Sequence, residues 1–209
     1  MDSRRRHGPA NKRQIYDRLA AGYDRAMGPL ERRWLARLRA AAAAELPADA
    51  RLLEVGAGTG ANFPFHPEGA RGACVEPSTE MLARAAAKES RPEGMRLVQA
   101  SAERLPFADD TFDAALATLV FCSVASPAEA FGELRRVVRA GGVISLVEHV
   151  RPRGALGYAF DALSLLTVQF FEDHFNRRTA DDARRAGLRV ERVEEHLFGA
   201  LQRIVCRVV

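Results

Sequence analysis

The segment Leu52–Gly60 constrains the fold of this chain more than any other stretch. It reads Leu-Leu-Glu-Val-Gly-Ala-Gly-Thr-Gly, an apolar run followed at once by alternating glycines. Glycines at this position let the chain leave a buried parallel strand and bring its backbone close to a ligand. The residues after Gly60 can open a helix, and the unpaired N–H groups of its first turn would then point back at that ligand.

The nature of the ligand is indicated by the acids around this turn. Residues 71–76 read as a second strand ending in Glu76, which lies 16 residues after Gly60. A carboxylate at the end of the second strand, roughly 20 residues past a glycine turn, can bind a ribose diol. The glycine spacing differs from the G-x-G-x-x-G pattern of dinucleotide enzymes, and Glu54 would repel phosphate. We therefore expect a ligand with a ribose and a positive charge but no phosphates.

These segments resemble the motifs of the class I S-adenosylmethionine-dependent methyltransferases. Residues 54–60 resemble the first motif of that family, residues 75–77 its ribose-binding motif and residues 113–118 its fourth motif. Residues 101–107 are similar to the adenine-side loop of the subgroup that includes the quinone C-methyltransferases, and residues 134–142 resemble the turn before the fifth strand. The resemblance covers the chain from about Tyr16 to the end and implies S-adenosylmethionine as the cofactor.

The resemblance also implies which residues contact the cofactor. The set expected to do so is Tyr16, Tyr23, Glu54, Gly56, Gly58, Gly60, Asn62, Glu76, Pro77, Met81, Ser101, Ala102, Glu103, Thr118, Leu119 and Ser123. For Met81, simple filling of the core is an equally open interpretation.

The pattern along the chain predicts an α/β fold. Apolar strands at residues 95–99, 112–118 and 143–150 alternate with helices at 81–88 and 127–139, the latter ended by Gly141-Gly142. Such alternation predicts a parallel sheet with helices on both faces. The resemblance implies a Rossmann-like, doubly wound sheet of seven strands in the order 3-2-1-4-5-7-6, whose last strand runs antiparallel. Residues 190–195 and 203–209 would form its terminal hairpin.

We expect three regions along the chain. Residues 1–10 are predicted to be a disordered basic tail, residues 11–46 N-terminal helices, and residues 47–209 the methyltransferase domain, with an apolar insert at 154–175. The helix pattern runs over 11–27 and 30–45, with a break at Gly28-Pro29. Residues 16–24 resemble the segment that folds over the cofactor as a lid, and a plain amphipathic helix packed on the sheet is the alternative.

Charge and cysteine usage limit the class of protein. The net charge is +4, and the stretch 2–39 holds eleven basic residues against four acids. This excess indicates either solvated helix faces or attraction to an anionic membrane, at about 1 kcal/mol per basic residue near the surface. No aromatic stacking platform accompanies the arginines, so nucleic acid is not expected as a partner. The three cysteines, Cys74, Cys122 and Cys206, lack metal-ligand spacing and indicate core thiols in a reducing cytosol.

The acceptor is expected beyond the carboxyl ends of the strands. The catalytic candidates are Tyr23 together with Glu148 and His149, which are adjacent at the end of the fifth strand. His149 is also open to a purely structural interpretation, and His174 is either a residue of the outer wall or an exposed side chain. The mostly apolar stretch Ala155–Phe171 is too short and too polar for a membrane span. It is expected to be a core helix or helix pair that covers the sheet edge, the wall of an acceptor pocket, or a surface that dips into lipid.

The acceptor class is suggested by a closer resemblance. Residues 53–63, 118–124 and 147–150 are similar to animal membrane-associated alkyl-thiol methyltransferases and to bacterial phospholipid N-methyltransferases. We expect no signal peptide and no long N-terminal anchor, and therefore a cytoplasmic protein that binds peripherally to the inner face of the membrane. Our first hypothesis is stepwise N-methylation of phosphatidylethanolamine. The alternatives are methylation of a small thiol, a quinone carbon or a natural-product hydroxyl, and a non-catalytic cofactor-binding domain.

Overall fold

A computed structural model describes residues 9–152 and 177–209 of the chain, with side chains from Arg13 onward. Most of the predicted tail, the predicted insert 154–175 and His174 lie outside the described residues. The first helix begins at Pro9, two residues before the predicted start.

Seven strands form one sheet in the order β3-β2-β1-β4-β5-β7-β6, which confirms the predicted fold. Strands β1 to β4 pair in parallel with their neighbours, β5 pairs in parallel with β4, and β7 is antiparallel to both β5 and β6. The strands are β1 Arg51–Val55, β2 Arg71–Val75, β3 Met95–Val98, β4 Phe112–Thr118, β5 Val138–His149, β6 Arg189–His196 and β7 Leu201–Arg207.

The central strands β1, β4 and β5 are buried on both faces, as their continuous apolar runs require. Leu52 and Leu53 are neighbours in β1 and are at most 1% exposed, yet they belong to separate apolar clusters. One cluster also holds Phe121 and Phe131, whose rings stack 4.0 Å apart. Because successive side chains of a strand point to opposite faces, each face buries its own core.

Five α-helices flank the described part of the sheet. They are α1 Pro9–Leu30, α2 Ala36–Ala43, α3 Thr79–Ala86, α4 Pro127–Val137 and α5 Thr179–Arg185. Ser78 caps α3 by accepting the N–H of Met81 at 3.1 Å, and Ser126 caps α4 by accepting the N–H of Glu129 at 3.3 Å. Both are serine caps immediately before the first helical residue, a common way of satisfying the free N–H groups there.

The predicted break at Gly28-Pro29 is wrong. Helix α1 continues through Pro29 to Leu30 and passes into a π-helical turn, Glu31–Leu35, that leads directly into α2. Proline removes one backbone N–H and crowds the preceding turn, and the wider π turn accommodates such irregularity without ending the helix. The two predicted helices are therefore one continuous helical segment.

Two further predictions are corrected around glycines. The residues after Gly60 form only a single 3₁₀ turn, Phe63–Phe65, because Pro67 lacks an N–H and holds His66 extended at ψ 144°. No long helix therefore points its N-terminus at the ligand site from this position. Helix α4 ends at Val137 rather than at Gly141-Gly142, and β5 begins at Val138 with an irregular step beside β4. Gly141 takes φ 77° within that step.

Candidate active site

A cleft of about 960 Å³ lies at the carboxyl ends of β1, β2 and β4, beneath α1. This is where an open parallel sheet binds ligands. Most of the residues predicted to contact a cofactor line this cleft. They are Tyr16, Tyr23, Gly56, Gly58, Glu76, Pro77, Met81, Ser101, Ala102, Glu103, Thr118, Leu119 and Ser123.

The three glycines after β1 take different parts in the cleft, although all have positive φ. A Cβ on Gly56 would lie 2.4 Å from Val120, and one on Gly60 would lie 2.4 Å from the ring of Phe63. Their absence of a side chain therefore serves close packing. Gly58 has φ 55° and open space where its Cβ would be, and it lines the cleft. Gly58 is thus the position at which bare backbone is free to meet a ligand.

Glu76 follows β2 and sits beside the glycine turn. Its carboxylate accepts the N–H of Gly58 at 3.1 Å and the N–H of Ser78 at 2.9 Å. Burial raises the pKa of Glu76 to about 7, while these two N–H groups act in the opposite direction. A buried carboxylate at the end of the second strand can accept hydroxyl hydrogen bonds from a ribose diol.

Glu54 and Asn62 lie beneath the glycine turn rather than in the cleft lining. Glu54 is fully buried and accepts the side-chain amide of Asn62 at 2.8 Å. His66 Nε2 lies 2.7 Å from Glu54 Oε2 without hydrogen-bond alignment, and the Cys74 thiol lies 3.5 Å from the same oxygen. The carboxylate predicted to attract a cationic ligand is therefore already engaged by the side chains around it.

Arg39 is a cleft residue whose sequence context indicates only a member of the basic excess in residues 2–39. It is 5% exposed, donates to Asn62 Oδ1 at 3.0 Å and to Glu31 at 2.9 Å, and contacts the hydroxyl of Thr118. Among the described residues lining the cleft it is the one cation. A signal was present in the sequence, because Leu35, Leu38 and Ala42 share its helix face and are buried.

Helix α1 brings Tyr16 and Tyr23 to the cleft, and two acids that belong to no predicted site attach the helix. Asp17 accepts the hydroxyl of Ser78 at 2.6 Å and the N–H of Glu80 at 3.2 Å. Asp24 accepts the hydroxyl of Thr59 at 2.5 Å and lies 3.2 Å from the ammonium of Lys88. The helix is therefore bonded both to the glycine turn and to α3.

Glu148 lies behind the cleft and holds one of its loops. Its carboxylate accepts the N–H groups of Val120 and Phe121 at 3.0 and 3.1 Å, and complete burial raises its pKa to about 8. Leu119, which precedes Val120 in this loop, lines the cleft. Its φ of 59° is a strained conformation for a residue with a side chain. Glu148 thus supports the strained loop and does not itself line the cleft among the described residues.

His149 is also outside the described cleft lining. Burial lowers its pKa to about 4, partly countered by a hydrogen bond to the backbone of Ala200. The third catalytic candidate, Tyr23, lines the cleft. The predicted catalytic residues are therefore not brought together around one point.

Glu103 closes the cleft on the adenine side predicted from the sequence. Its carboxylate accepts the N–H of Ala125 at 2.7 Å and contacts the hydroxyl of Ser101. Met81 is 1% exposed and lines the cleft from α3. An apolar floor with a fixed polar rim can hold a flat heterocycle.

The chain matches known methyltransferases in sequence. A family model described as a methyltransferase domain matches residues 53–146. The thiol S-methyltransferase TMT1B of Mus musculus is 36% identical over 142 residues, which are 65% of this chain and 58% of that protein. The human TMT1A is 40% identical over 103 residues, 42% of its length. The chain therefore spans about half the length of these animal relatives.

A bacterial relative is matched over a larger share of its length. The phosphatidylethanolamine N-methyltransferase of Cereibacter sphaeroides is 35% identical over 140 residues, 64% of this chain and 69% of that protein. Among solved structures, a methyltransferase of Thermotoga maritima described as a possible histamine N-methyltransferase superposes with a TM-score of 0.72. The match covers 94% of this chain and 99% of that one at 24% identity, and its likeness concerns the fold.

Proposed function

The chain belongs to the class I S-adenosylmethionine-dependent methyltransferases, and from this membership we propose that it methylates a lipophilic acceptor, the amine of phosphatidylethanolamine, in successive transfers at a membrane surface. The observation that carries the proposal is the cleft, in which Gly58, Glu76 and Arg39 face one space. The bacterial relative named for phosphatidylethanolamine, of which the chain covers 69%, supports this choice of acceptor.

The described residues fit S-adenosylmethionine by the chemistry of their side chains. Glu76 would accept its ribose hydroxyls, and the open backbone at Gly58 leaves room beside them. Arg39 would balance the carboxylate of its methionine part. Met81 and Ala102 offer apolar contact to the adenine. When bound, the cofactor supplies an electrophilic methyl group.

The chain's own residues would contribute orientation and the exclusion of water. Glu148 holds the loop that carries Leu119 and Ser123 into the cleft, and Tyr16 and Tyr23 cover the cleft from α1. An acceptor docked against this rigid loop loses little further freedom on reaching the methyl donor.

The acceptor amine must lose a proton before its lone pair can accept the methyl group. An amine that titrates near ~10 costs roughly 4 kcal/mol to bring to its neutral form at pH 7. The carboxylates lining the described cleft, Glu76 and Glu103, already accept backbone N–H groups. Tyr23 is the catalytic candidate that lines the cleft, and we assign its hydroxyl the task of orienting the amine.

Exposed aromatic and basic side chains support a membrane contact. Trp34, 43% exposed, lies in the π turn beside exposed Arg33 and Arg37, and Glu31 of the same turn bonds cleft residue Arg39. Phe198, 93% exposed, lies in the β6–β7 turn, at the edge where β5 ends. Tryptophan and arginine favour the interface of an anionic bilayer. None of the helices in the described ranges is long and apolar enough to cross a membrane.

A thiol acceptor is the second candidate, and the sequence likeness to the animal thiol S-methyltransferases favours it. A thiol titrating near ~8.5 costs only about 2 kcal/mol to ionise at pH 7, so it needs less help from the site. The quinone carbon, the natural-product hydroxyl and the non-catalytic domain are retained as the further alternatives.

An acceptor panel with isotopically labelled S-adenosylmethionine tests the proposal. We expect mono-, di- and trimethylated lipid to form in sequence from phosphatidylethanolamine vesicles, detected by mass spectrometry. Methyl transfer only to water-soluble thiols would replace the first candidate by the second. Cofactor binding without transfer to any member of the panel would favour the non-catalytic domain.

Vesicle co-sedimentation tests the membrane contact separately. We expect the parent protein to bind anionic vesicles, and this binding to weaken at high salt. The double variant Arg33→Gln with Arg37→Gln and the single variant Trp34→Ala should each bind the vesicles more weakly than the parent. Arg96→Gln is the matched control, because Arg96 is an exposed arginine on the edge strand β3. Equal weakening by the control would mean that net charge, rather than this edge, attracts the vesicles.

A further inference from the structure

A second cleft lies between the residues that follow β5 and the start of α5. It has an empty volume of about 1140 Å³. Four arginines line it against two carboxylates, so its lining is net cationic. These charged residues are Arg151, Arg177, Arg178, Arg184, Asp181 and Glu195.

Arg177 connects this cleft to the cofactor cleft. Its Nη2 donates at 3.0 Å to the carbonyl of Val124, a residue that lines the cofactor cleft. Among the residues that the structure describes, its buried Nε has no hydrogen-bond partner. Burial lowers the pKa of Arg177, with Asp182 acting in the opposite direction. A partly buried guanidinium with an unused N–H is stabilised by an anion that accepts from it.

The other arginines differ in how far they are already neutralised. Arg184 pairs with Asp181 at 2.9 Å, and that pair is partly exposed. Arg178 precedes α5, is exposed, and makes no ion pair with any residue in the described ranges. Arg177 and Arg178 are therefore adjacent cations with donor capacity left for a ligand.

We propose that this cleft binds the phosphate ester of the acceptor while the acceptor's amine lies in the neighbouring cofactor cleft. The inference rests on the proposed function and deepens it. In phosphatidylethanolamine only two carbons and an ester oxygen separate the amine from the phosphorus. An enzyme that methylates this amine must hold the phosphate close to the methyl donor. The hydrogen bond between Arg177 and Val124 makes the two clefts neighbours, and Arg177 and Arg178 supply the positive charge.

The test measures phosphate binding without turnover. Isothermal titration with glycerophosphoethanolamine, short-chain phosphatidylethanolamine and inorganic phosphate is run on the parent, Arg178→Gln and Arg185→Gln. Arg185 is the matched control, since it is exposed on the same helix, pairs with Asp182 at 2.8 Å and lies outside the cleft lining. We expect Arg178→Gln to weaken the binding of the phosphate esters about tenfold or more. Arg185→Gln should bind the phosphate esters with the parental affinity. Both variants should also bind S-adenosylmethionine with the parental affinity.

Each outcome bears on the proposal. Stronger binding of the two ethanolamine esters than of inorganic phosphate assigns the site to a lipid headgroup, and equal binding assigns it to phosphate from any source. No binding of the three probes, or an equal loss in Arg185→Gln, would overturn the proposal. Phosphate binding that depends on Arg178, in a protein that methylates no phosphatidylethanolamine, would keep the anion site and remove the proposed function.

Discussion

Glu76 is a buried carboxylate whose pKa lies close to neutral pH. Burial raises that pKa to about 7, and the N–H groups of Ser78 and Gly58 only partly offset the effect. Hydroxyl groups donate more strongly to a carboxylate than to a carboxylic acid, so a bound ribose would favour the ionised form. We therefore expect the affinity for S-adenosylmethionine to rise as the pH rises through about 7, measured by titration calorimetry.

The same residue supplies the variant that checks this pH dependence. Glu76→Gln should weaken cofactor binding about tenfold or more, and the rise of cofactor affinity with pH should disappear. Glu80→Gln is the matched control, because Glu80 is exposed in the first turn of the neighbouring helix α3. A pH step that persists in Glu76→Gln would assign the titration to another group.

Arg39 tests which part of the cofactor lies in which part of the cleft. Lysine in its place keeps the charge but loses the planar fork that reaches Asn62 and Glu31 together. We expect Arg39→Lys to weaken the binding of S-adenosylmethionine about tenfold. The affinity for 5′-methylthioadenosine, which has no carboxylate, should stay at the parental value in fluorescence or calorimetric titration.

Methylthioadenosine binding also reports whether the Arg39 variant is folded around its cleft. Arg37→Lys serves as the control, because Arg37 is exposed on the same helix. An equal loss of both ligands in Arg39→Lys would mean that the arginine supports the cleft wall and makes no contact with the carboxylate.

The sequence could place residues in the cleft where the signal was local. Gly58 and Glu76 line the cleft as a strand, a turn and a following acid predict. Arg39 could not be placed in this way, because its contact with Thr118 joins positions far apart in the chain. The engagement of Glu54 by Asn62 and His66 likewise depends on the 3₁₀ turn that replaces the predicted helix.

At the scale of elements, α1 can be tested as a cover that the cofactor stabilises. Asp17 bonds Ser78 and the start of α3, and Asp24 bonds Thr59 of the glycine turn. We expect Asp17→Asn with Asp24→Asn to speed amide hydrogen exchange in α1 and to weaken cofactor binding several-fold. By linkage, saturating S-adenosylmethionine should slow exchange in α1 of the parent.

Asp49→Asn is the control for this experiment, since Asp49 is exposed in the turn before β1. Exchange in α4, which makes none of these bonds, should be the same in all variants. If neither the variants nor the cofactor changes exchange in α1, the helix only packs on the domain and the lid interpretation fails.

Elements that depend on proline were the hardest to predict. Pro29 has the sequence character of a helix stop, yet the chain continues through a π turn because Leu35 and Leu38 beyond it are buried in the core. Pro67 acts in the opposite way and limits the segment after Gly60 to one 3₁₀ turn. The tertiary packing of the following residues decides between these outcomes, and the local sequence does not carry it.

At the scale of the whole molecule, the sheet order was predictable and the use of its buried acids was not. Alternating strands and helices restrict the topology to few choices, and the family resemblance selects the one observed. Glu148 has the sequence position of a catalytic base at a strand end. In the structure it accepts N–H groups from Val120 and Phe121 and is fully buried, which only the folded chain reveals.

These buried acids give the whole protein a stability that falls toward alkaline pH. Burial raises the pKa of Glu76 to about 7 and that of Glu148 to about 8, above the 4.5 of an unfolded glutamate. A raised pKa means that the folded state keeps its proton longer, so the free energy of unfolding falls as the pH rises through the folded pKa. His149, whose pKa is lowered from 6.5 to about 4, changes stability only at pH values below those at which the two acids ionise.

Urea unfolding between about pH 7 and about pH 8 therefore reports mainly on Glu148, with a smaller contribution from the end of the Glu76 titration. Glu148→Gln should be less stable throughout but lose most of this slope, whereas exposed Glu89→Gln should keep it. An unchanged slope in Glu148→Gln would show that the loop at Val120 is held by a carboxylate that stays ionised.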